Sequence, residues 1–239
     1  MPLYVYSIIT KGHPCRLDGL RGVGAKPSPV RTVTAGPLCA VVSDVDEEIQ
    51  PKRRDLIAHQ EVQERLMTDG VVLPLQFGYT APDDLAVSEA LASNTDGYLS
   101  TLSRLEGCAE YHVRASQTDD TPLLEQILED LPEARDLNER IRGGDRDPGL
   151  PLALGEMVAH EVQARQETLS VGLTEALIPF SREHLVRPPS GSDFLNLSLL
   201  VPDEHKEGLR TAEANIAREI GEGIDLRFSG PLPPYSFVQ

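Results

Sequence analysis

The most constraining feature of the sequence is a long run of apolar residues with helical period between Leu150 and Phe180. Apolar side chains recur there at steps of three and four residues, as on one face of an α-helix. They are Leu154, Val158, Val162, Leu169, Leu173, Leu177 and Phe180. At 1.5 Å per residue such a helix would be about 45 Å long. This exceeds an ordinary core helix, so we expect part of it to pack on another domain or another chain.

Shorter segments of strand and helix type alternate along the rest of the chain. The patterns predict helices at 51–70, 82–105 and 203–220, a hairpin at 30–45, and strands at 3–9, 71–78, 108–116, 194–201 and 224–230. Mixed order with a hairpin favours α+β layers over a doubly wound parallel sheet. We predict an α+β protein of two ferredoxin-like α/β domains, 1–106 and 107–239. The second carries the long helix and an apolar, Pro-rich C-terminal tail.

Charge and hydropathy narrow the classes of partner. The chain has 22 basic and 38 acidic residues, a formal net charge of -16, which repels phosphate backbones and argues against nucleic acid. No apolar run approaches the roughly 18 to 20 residues that span a bilayer. The start, MPLYVYSIIT, lacks a basic lead and is too short for a signal peptide. We expect a cytoplasmic protein with no membrane or nucleic-acid partner.

No motif in the sequence indicates a catalytic centre, a cofactor or a metal. The three cysteines, Cys15, Cys39 and Cys108, show no C-x-x-C spacing, so neither a disulfide framework nor a zinc site is indicated. Gly19 and Gly24 have the spacing of a phosphate-binding loop, but Ala25 stands where that loop requires Lys. The residues alone therefore point to no particular catalytic chemistry.

The predicted helix 51–70 carries two features with more than one interpretation. His59 falls on its apolar face with Leu56, Val62 and Leu66, which favours a hydrogen-bonded, half-buried histidine over a ligand. Its first turn holds the cations Lys52, Arg53 and Arg54 in an otherwise acidic chain. They form either a solvated first turn or a docking patch for an acidic partner.

Four sequence stretches together resemble one known family. They are YVY at 4–6, RRDLIAHQ at 53–60, VLPLQFG at 72–78 and GPLPPYSFV at 230–238. In kind, order and separation they are similar to the gas vesicle protein F/L family (GvpF/GvpL). The candidate interaction or structural residues in them are Tyr4, Tyr6, Arg53, Arg54, Asp55, His59, Gln60, Pro74, Phe77, Gly78, Gly230, Pro233, Pro234, Tyr235 and Phe237.

The resemblance implies an accessory or minor structural protein of gas vesicles, the gas-filled buoyancy organelles. It implies binding to the hydrophobic shell protein GvpA and help in assembly, with other gas vesicle accessory proteins as further candidate partners. No enzymatic activity or cofactor is implied, and the location is the gas vesicle or the cytoplasm. The chain departs from the family pattern at Ser7, Gln76 and Leu232, where Gly, Arg and Trp are frequent, which leaves the F and L paralogues open.

The sequence allows two roles for the apolar tail and three candidate surfaces for the partner. The tail either packs back on the protein's own domains or is a strand that adds to a partner's sheet. Candidate partner surfaces are the helix 52–68, the strand 71–78 and the long helix near 150–180. Other function classes are a small-molecule-sensing module with a pocket at the domain junction, and an enzyme using His59 or His160.

Overall fold

A computed structural model describes residues 1–46 and 48–238. The strands are β1 (Leu3–Thr10), β2 (Arg31–Ala35), β3 (Leu38–Asp44), β4 (Leu73–Pro74), β5 (Thr80–Ala81), β6 (Cys108–Gln117), β7 (Glu183–Val186), β8 (Asp193–Pro202) and β9 (Ile224–Leu232). The α-helices are α1 (Arg53–Asp69), α2 (Asp84–Ser93), α3 (Thr95–Leu105), α4 (Thr121–Asp130), α5 (Pro132–Arg142), α6 (Gly149–Leu177) and α7 (Lys206–Glu219). The predicted α+β class is confirmed, and so is the long helix of the C-terminal half.

Contacts divide the chain into two units. The first unit comprises Met1–Tyr111, Leu200–Asp203 and Gly230–Gln239, and the second comprises His112–Leu199 and Glu204–Ser229. The C-terminal tail therefore belongs to the first unit, with the N-terminal strands. The domains 1–106 and 107–239 and their ferredoxin-like character stay predictions.

The first unit is built on a sheet with the order β2-β3-β1-β4, and β5 also pairs with β1. β1 runs antiparallel to β3, with an irregularity between Val5 and Ser7 that leaves Tyr6 as an extra residue. A β-bulge of this kind shifts the alternation of side chains by one position. Leu3, Val5 and Ile8 therefore share one face of the sheet, although their spacing is not strictly two.

Helices cover both faces of this sheet, which is why β1 is apolar along nearly its whole length. On one face, Val87 and Leu91 of α2 and Leu102 of α3 join the cluster of Leu3 and Val5. On the other face, Val62 and Leu66 of α1 pack with Tyr4, Tyr6 and Ile9. Each face thus has its own apolar core.

The helix α1 turns a different residue inward than its sequence pattern predicts. Val62 and Leu66 are buried as expected, and His59, expected to be half-buried, is only 5% exposed. Leu56, in contrast, is 44% exposed, while Asp55 is 2% exposed. The carboxylate of Asp55 accepts a hydrogen bond from the Gly24 amide at 2.8 Å, which compensates its burial. The predicted inward position of Leu56 is therefore wrong.

The second unit combines a sheet of order β7-β8-β6-β9 with the helices α4 to α7. Leu150, Leu173 and Leu177 are the buried residues of α6, which packs against α4, α5 and α7. No helix within residues 1–46 and 48–238 is long and apolar enough to cross a membrane.

Candidate functional site

The family-like stretches of the first unit converge on the side chain of His59. Tyr4 Oη lies 3.0 Å from His59 Nδ1, and His59 Nε2 lies 2.8 Å from Tyr235 Oη. Tyr4 comes from β1, His59 from α1 and Tyr235 from the tail, 176 positions after His59. One imidazole thus joins the first strand, the first helix and the C-terminal tail.

The direction of these hydrogen bonds follows from the partners of Tyr4. The backbone N–H of Gly78 donates to Tyr4 Oη at 2.9 Å, so the phenol proton is directed to His59 Nδ1. In that tautomer His59 Nδ1 accepts, and Nε2 carries the ring proton and donates it to Tyr235 Oη. Gln63 Nε2, which lies 3.5 Å from His59 Nε2, therefore donates to the Tyr6 carbonyl oxygen and not to the imidazole. Gly78 has a φ of +94°, a conformation that glycine adopts without strain, and this directs its amide toward Tyr4.

Burial keeps this cluster uncharged. It lowers the pKa of His59 to about 4, because the imidazolium would lose its hydration. Burial also raises the pKa of Tyr4 and that of Tyr235, and the charge of Glu110 adds to the shift of Tyr235. At neutral pH the three groups form a neutral hydrogen-bonded chain, which suits a structural role.

This pKa of His59 predicts a loss of stability in mild acid. An exposed histidine titrates near 6.5, so between about pH 6.5 and 4 the unfolded chain binds a proton that the folded chain excludes. The free energy of unfolding is expected to fall by about 3 kcal/mol over this window as the pH decreases. Urea titrations at pH 7, 6, 5 and 4 measure it.

The control for this pH dependence is His59→Gln. The titratable groups that contact His59 are Tyr4, Tyr6 and Tyr235, and Asp55 lies one turn earlier on α1. The phenols stay neutral there, and the pKa of Asp55 is lowered, because the Gly24 amide and the Arg54 guanidinium outweigh the opposing effect of burial. His59→Gln should therefore have the smaller slope between pH 6.5 and 4. Equal slopes in both proteins would contradict the assignment.

Aromatic rings pack around the imidazole. The centroid of Phe77 lies 5.7 Å from that of His59 in an edge-on arrangement, and Tyr6 stacks on it at the same distance. Tyr4 and Tyr6 are 4.9 Å apart, and both are fully buried. Phe77 precedes Gly78 in the connection that follows Pro74 of β4, so this part of the third motif is also placed against His59.

A second polar group fixes α1 to the bulge of β1. Ser7 Oγ donates to Gln63 Oε1 at 2.6 Å, and Gln63 Nε2 donates to the carbonyl oxygen of Tyr6 at 2.6 Å. Tyr6 Oη lies 2.8 Å from Ser43 Oγ and accepts the Val23 amide at 2.9 Å. Gln63 lies one turn after His59 on the same face, so helical spacing could have identified it.

The tail is held by contacts at every residue from Tyr235 to Phe237. The Ser236 amide donates to Oε2 of the buried Glu110 at 2.9 Å, and Arg104 Nη2 donates to the Phe237 carbonyl oxygen at 2.5 Å. The ring of Phe237 is 6% exposed and packs with Leu105 and Leu200. Glu110 is absent from the sequence prediction, and no periodicity identifies it.

Three further residues of the fourth motif shape the path of the backbone before Tyr235. Pro233 and Pro234 are buried just before Tyr235. At Gly230, a Cβ would lie 2.6 Å from Tyr111 Cδ1 and 2.9 Å from the Glu110 carbonyl oxygen. Only glycine fits there without a shift of its neighbours.

The chain is similar to one protein family over almost its entire length. The model of the family "Gas vesicle synthesis protein GvpL/GvpF" matches residues 2–239. The chain belongs to the GvpL/GvpF family. The recognition made from the four motifs is confirmed.

Individual gas vesicle proteins are also similar to this chain in sequence. Gas vesicle protein F of a Streptomyces species is 40% identical over 242 residues, which cover 100% of both chains. Gas vesicle protein L2 of Halobacterium salinarum is 26% identical and covers 98% of this chain and 90% of its own. Both F and L paralogues are thus among the relatives.

Crystal structures of GvpF share the fold. The GvpF structure from an Anabaena species matches 100% of this chain and 98% of its own, with a TM-score of 0.84 and 20% identity. That from Microcystis aeruginosa matches 100% of this chain and 99% of its own, with a TM-score of 0.78 and 22% identity.

The remaining motif residues of this GvpL/GvpF chain lie outside the cluster. Arg53 and Gln60 are exposed on α1, whereas Arg54 pairs with Asp55 at 3.2 Å. Arg53, Leu56, Ile57 and Gln60 are spaced as i, i+3, i+4 and i+7, so they share one face of the helix. Leu56 and Ile57 are 44% and 46% exposed. We call these four residues the α1 surface.

Within the described part of the chain, no group of three or more His, Cys, Asp or Glu residues could hold a metal ion.

Proposed function

We propose that this GvpL/GvpF chain binds the hydrophobic shell protein GvpA and assists gas vesicle assembly without a chemical reaction of its own. Family membership supports a role in gas vesicles. Support for partner binding comes from the α1 surface, which leaves two large aliphatic side chains on a protein of net charge -16 partly in water. Burial of exposed apolar area on a partner is favourable by roughly 25 cal/mol per Å².

The motif residues then divide into two roles. One group of motif residues stabilises the fold of the first unit. It comprises the buried or half-buried positions, among them Tyr4, Tyr6, His59, Phe77 and Tyr235. The α1 surface contacts the partner, with Arg53 and Gln60 at its polar ends. The motif RRDLIAHQ therefore serves both roles. Its buried residues, such as His59, lie on the inner face of α1, and its exposed residues, such as Ile57, lie on the outer face.

Two other surfaces remain part of the proposal as secondary contacts. The connection after β4 leaves Tyr79 55% exposed, and α6 leaves Leu152 65% exposed. The long helix α6 would offer a hydrophobic client a contact of its own in the second unit.

Co-purification with GvpA from cells that express both proteins tests the proposal. Wild-type protein should retain GvpA, and Ile57→Asp should reduce the retained amount at least tenfold, because a carboxylate would have to be desolvated in the contact. Leu85→Asp is the matched control, since Leu85 is 66% exposed on α2 and lies outside the α1 surface. Failure of wild-type protein to retain GvpA would refute the proposed function, and equal loss in both variants would refute the surface.

A further inference from the structure

The first unit contains a cavity lined by uncharged side chains on the face of the sheet opposite α1. Its volume is about 230 Å³. Val5, Ile8 and Ala40 of the sheet form the floor, and α2 and α3 form the walls with Val87, Leu91 and Tyr98. Because all of these residues belong to the first unit, the cavity is a property of that unit alone.

The floor of this cavity is built to exclude charge. Val5, Ile8, Ala40, Val87 and Leu91 are each at most 5% exposed. None of the side chains that line the cavity in the described chain carries a formal charge at neutral pH. An ion placed there would lose its hydration without gaining a partner.

The cavity also has access to solvent. Tyr79, Thr80 and Pro82, which lie before α2, and Ala90 of α2 line it and are exposed. Tyr79 is 55% exposed, so its ring borders both the cavity and water. A ligand can therefore enter past the segment 79–82.

We propose that this cavity binds a small, uncharged, apolar molecule of about the size of one aromatic ring. Enclosed cavities of about 150 Å³ with aliphatic and aromatic linings bind benzene, and aliphatic and aromatic side chains also make up most of the lining here, which is open to solvent at the segment 79–82. The cavity here is larger than that but below the range of drug-sized sites, which begins at about 300 Å³. The site is independent of the α1 surface and goes beyond the proposed function.

Benzene is the probe, and methyl groups of the full-length protein report its binding by NMR. Benzene should shift the methyl resonances of Val5, Ile8 and Val87, with half-saturation in the millimolar range, on the order of 1 mM for a six-carbon ligand. Benzoate has the same ring but a charge, and should leave these resonances unchanged. Absence of any benzene-induced shift up to its solubility would refute the proposal, as would equal binding of benzoate.

Ala86→Leu fills the cavity from α2, because Ala86 lines it. This variant should weaken benzene binding at least tenfold while it keeps or raises the melting temperature. Ala92→Leu, an exposed position on the same helix, is the matched control and should bind benzene as the wild type does. If Ala86→Leu does not fold, Ala90→Leu at the rim replaces it.

One result would assign the cavity to a different occupant. If benzene does not bind the wild type, and Ala86→Leu abolishes retention of GvpA, the occupant is a side chain of the partner and the small-molecule proposal is wrong. Unchanged benzene binding by Ala86→Leu, or by Ala90→Leu where that variant replaces it, would also contradict the small-molecule proposal.

Discussion

Removal of residues 231–239 is expected to destabilise the first unit by more than about 4 kcal/mol, because truncation of one buried Phe side chain to Ala already costs about 3–5 kcal/mol. The deletion takes away Phe237, which is 6% exposed, and the buried Pro233 and Pro234. It also removes the Tyr235 partner of His59 and the Ser236 amide bound by Glu110. Urea unfolding followed by circular dichroism measures the loss.

Two point variants show how much of this loss of stability comes from Phe237. Phe237→Ala should reproduce most of its effect, whereas Leu85→Ala, at a position that is 66% exposed, should change the free energy of unfolding by less than about 0.5 kcal/mol. A truncated protein that keeps its stability but loses GvpA would show that the tail is a partner-binding strand instead.

Replacement of His59 by Phe is expected to cost about 2–6 kcal/mol, since it removes the imidazole partner of the buried Tyr4 phenol and of the half-buried Tyr235 phenol, at about 1–3 kcal/mol each. Phe preserves most of the ring packing with Phe77 and Tyr6, so the loss reports mainly on the hydrogen bonds to Tyr4 and Tyr235. Urea titration at pH 7 gives the change in the free energy of unfolding.

The control for His59→Phe is a double-mutant cycle with Tyr235→Phe. Since the two variants remove the same hydrogen bond, the cost of the double variant should be smaller than the sum of the single costs. Strict additivity of the two costs would show that His59 and Tyr235 do not interact in solution.

Local periodicity was enough to predict most of the helices and strands, but not the points at which they are interrupted. The long helix predicted at 150–180 is α6 at Gly149–Leu177, followed by a short 3-10 helix at Ile178–Phe180. The helix predicted at 82–105 is two helices, because Asn94 leaves the helical conformation with φ -132° and ψ 32°. A polar turn of this kind interrupts a helix without altering the apolar period on either side.

The bounds of two short strands depend on pairing in the folded protein, which local sequence patterns do not predict. The strand predicted at 71–78 is reduced to Leu73–Pro74, since these are the residues of that segment that pair with β1. The strand β7 at Glu183–Val186 has an unremarkable sequence and was not predicted. Both strands lie at the end of the strand order of their sheet, so each pairs with a single neighbour in that order.

The cluster around His59 was only half predictable for a similar reason. The position of His59 on the inner face of α1 follows from helical spacing, but its partner Tyr235 is 176 positions away, and no local pattern links them. The same holds for Glu110, whose carboxylate is buried in β6 and accepts a hydrogen bond from the Ser236 amide of the tail. The four motifs identified the segments, and the fold determines which side chains meet.

The central claim is that buried motif residues hold the fold and the α1 surface holds the partner. The most direct test measures retained GvpA and melting temperature together for His59→Gln and for Ile57→Asp. We predict that His59→Gln lowers the melting temperature and retains GvpA while it is folded, and that Ile57→Asp keeps the melting temperature and loses GvpA. The reverse result, GvpA lost by a folded His59→Gln protein and retained by Ile57→Asp, would contradict the account.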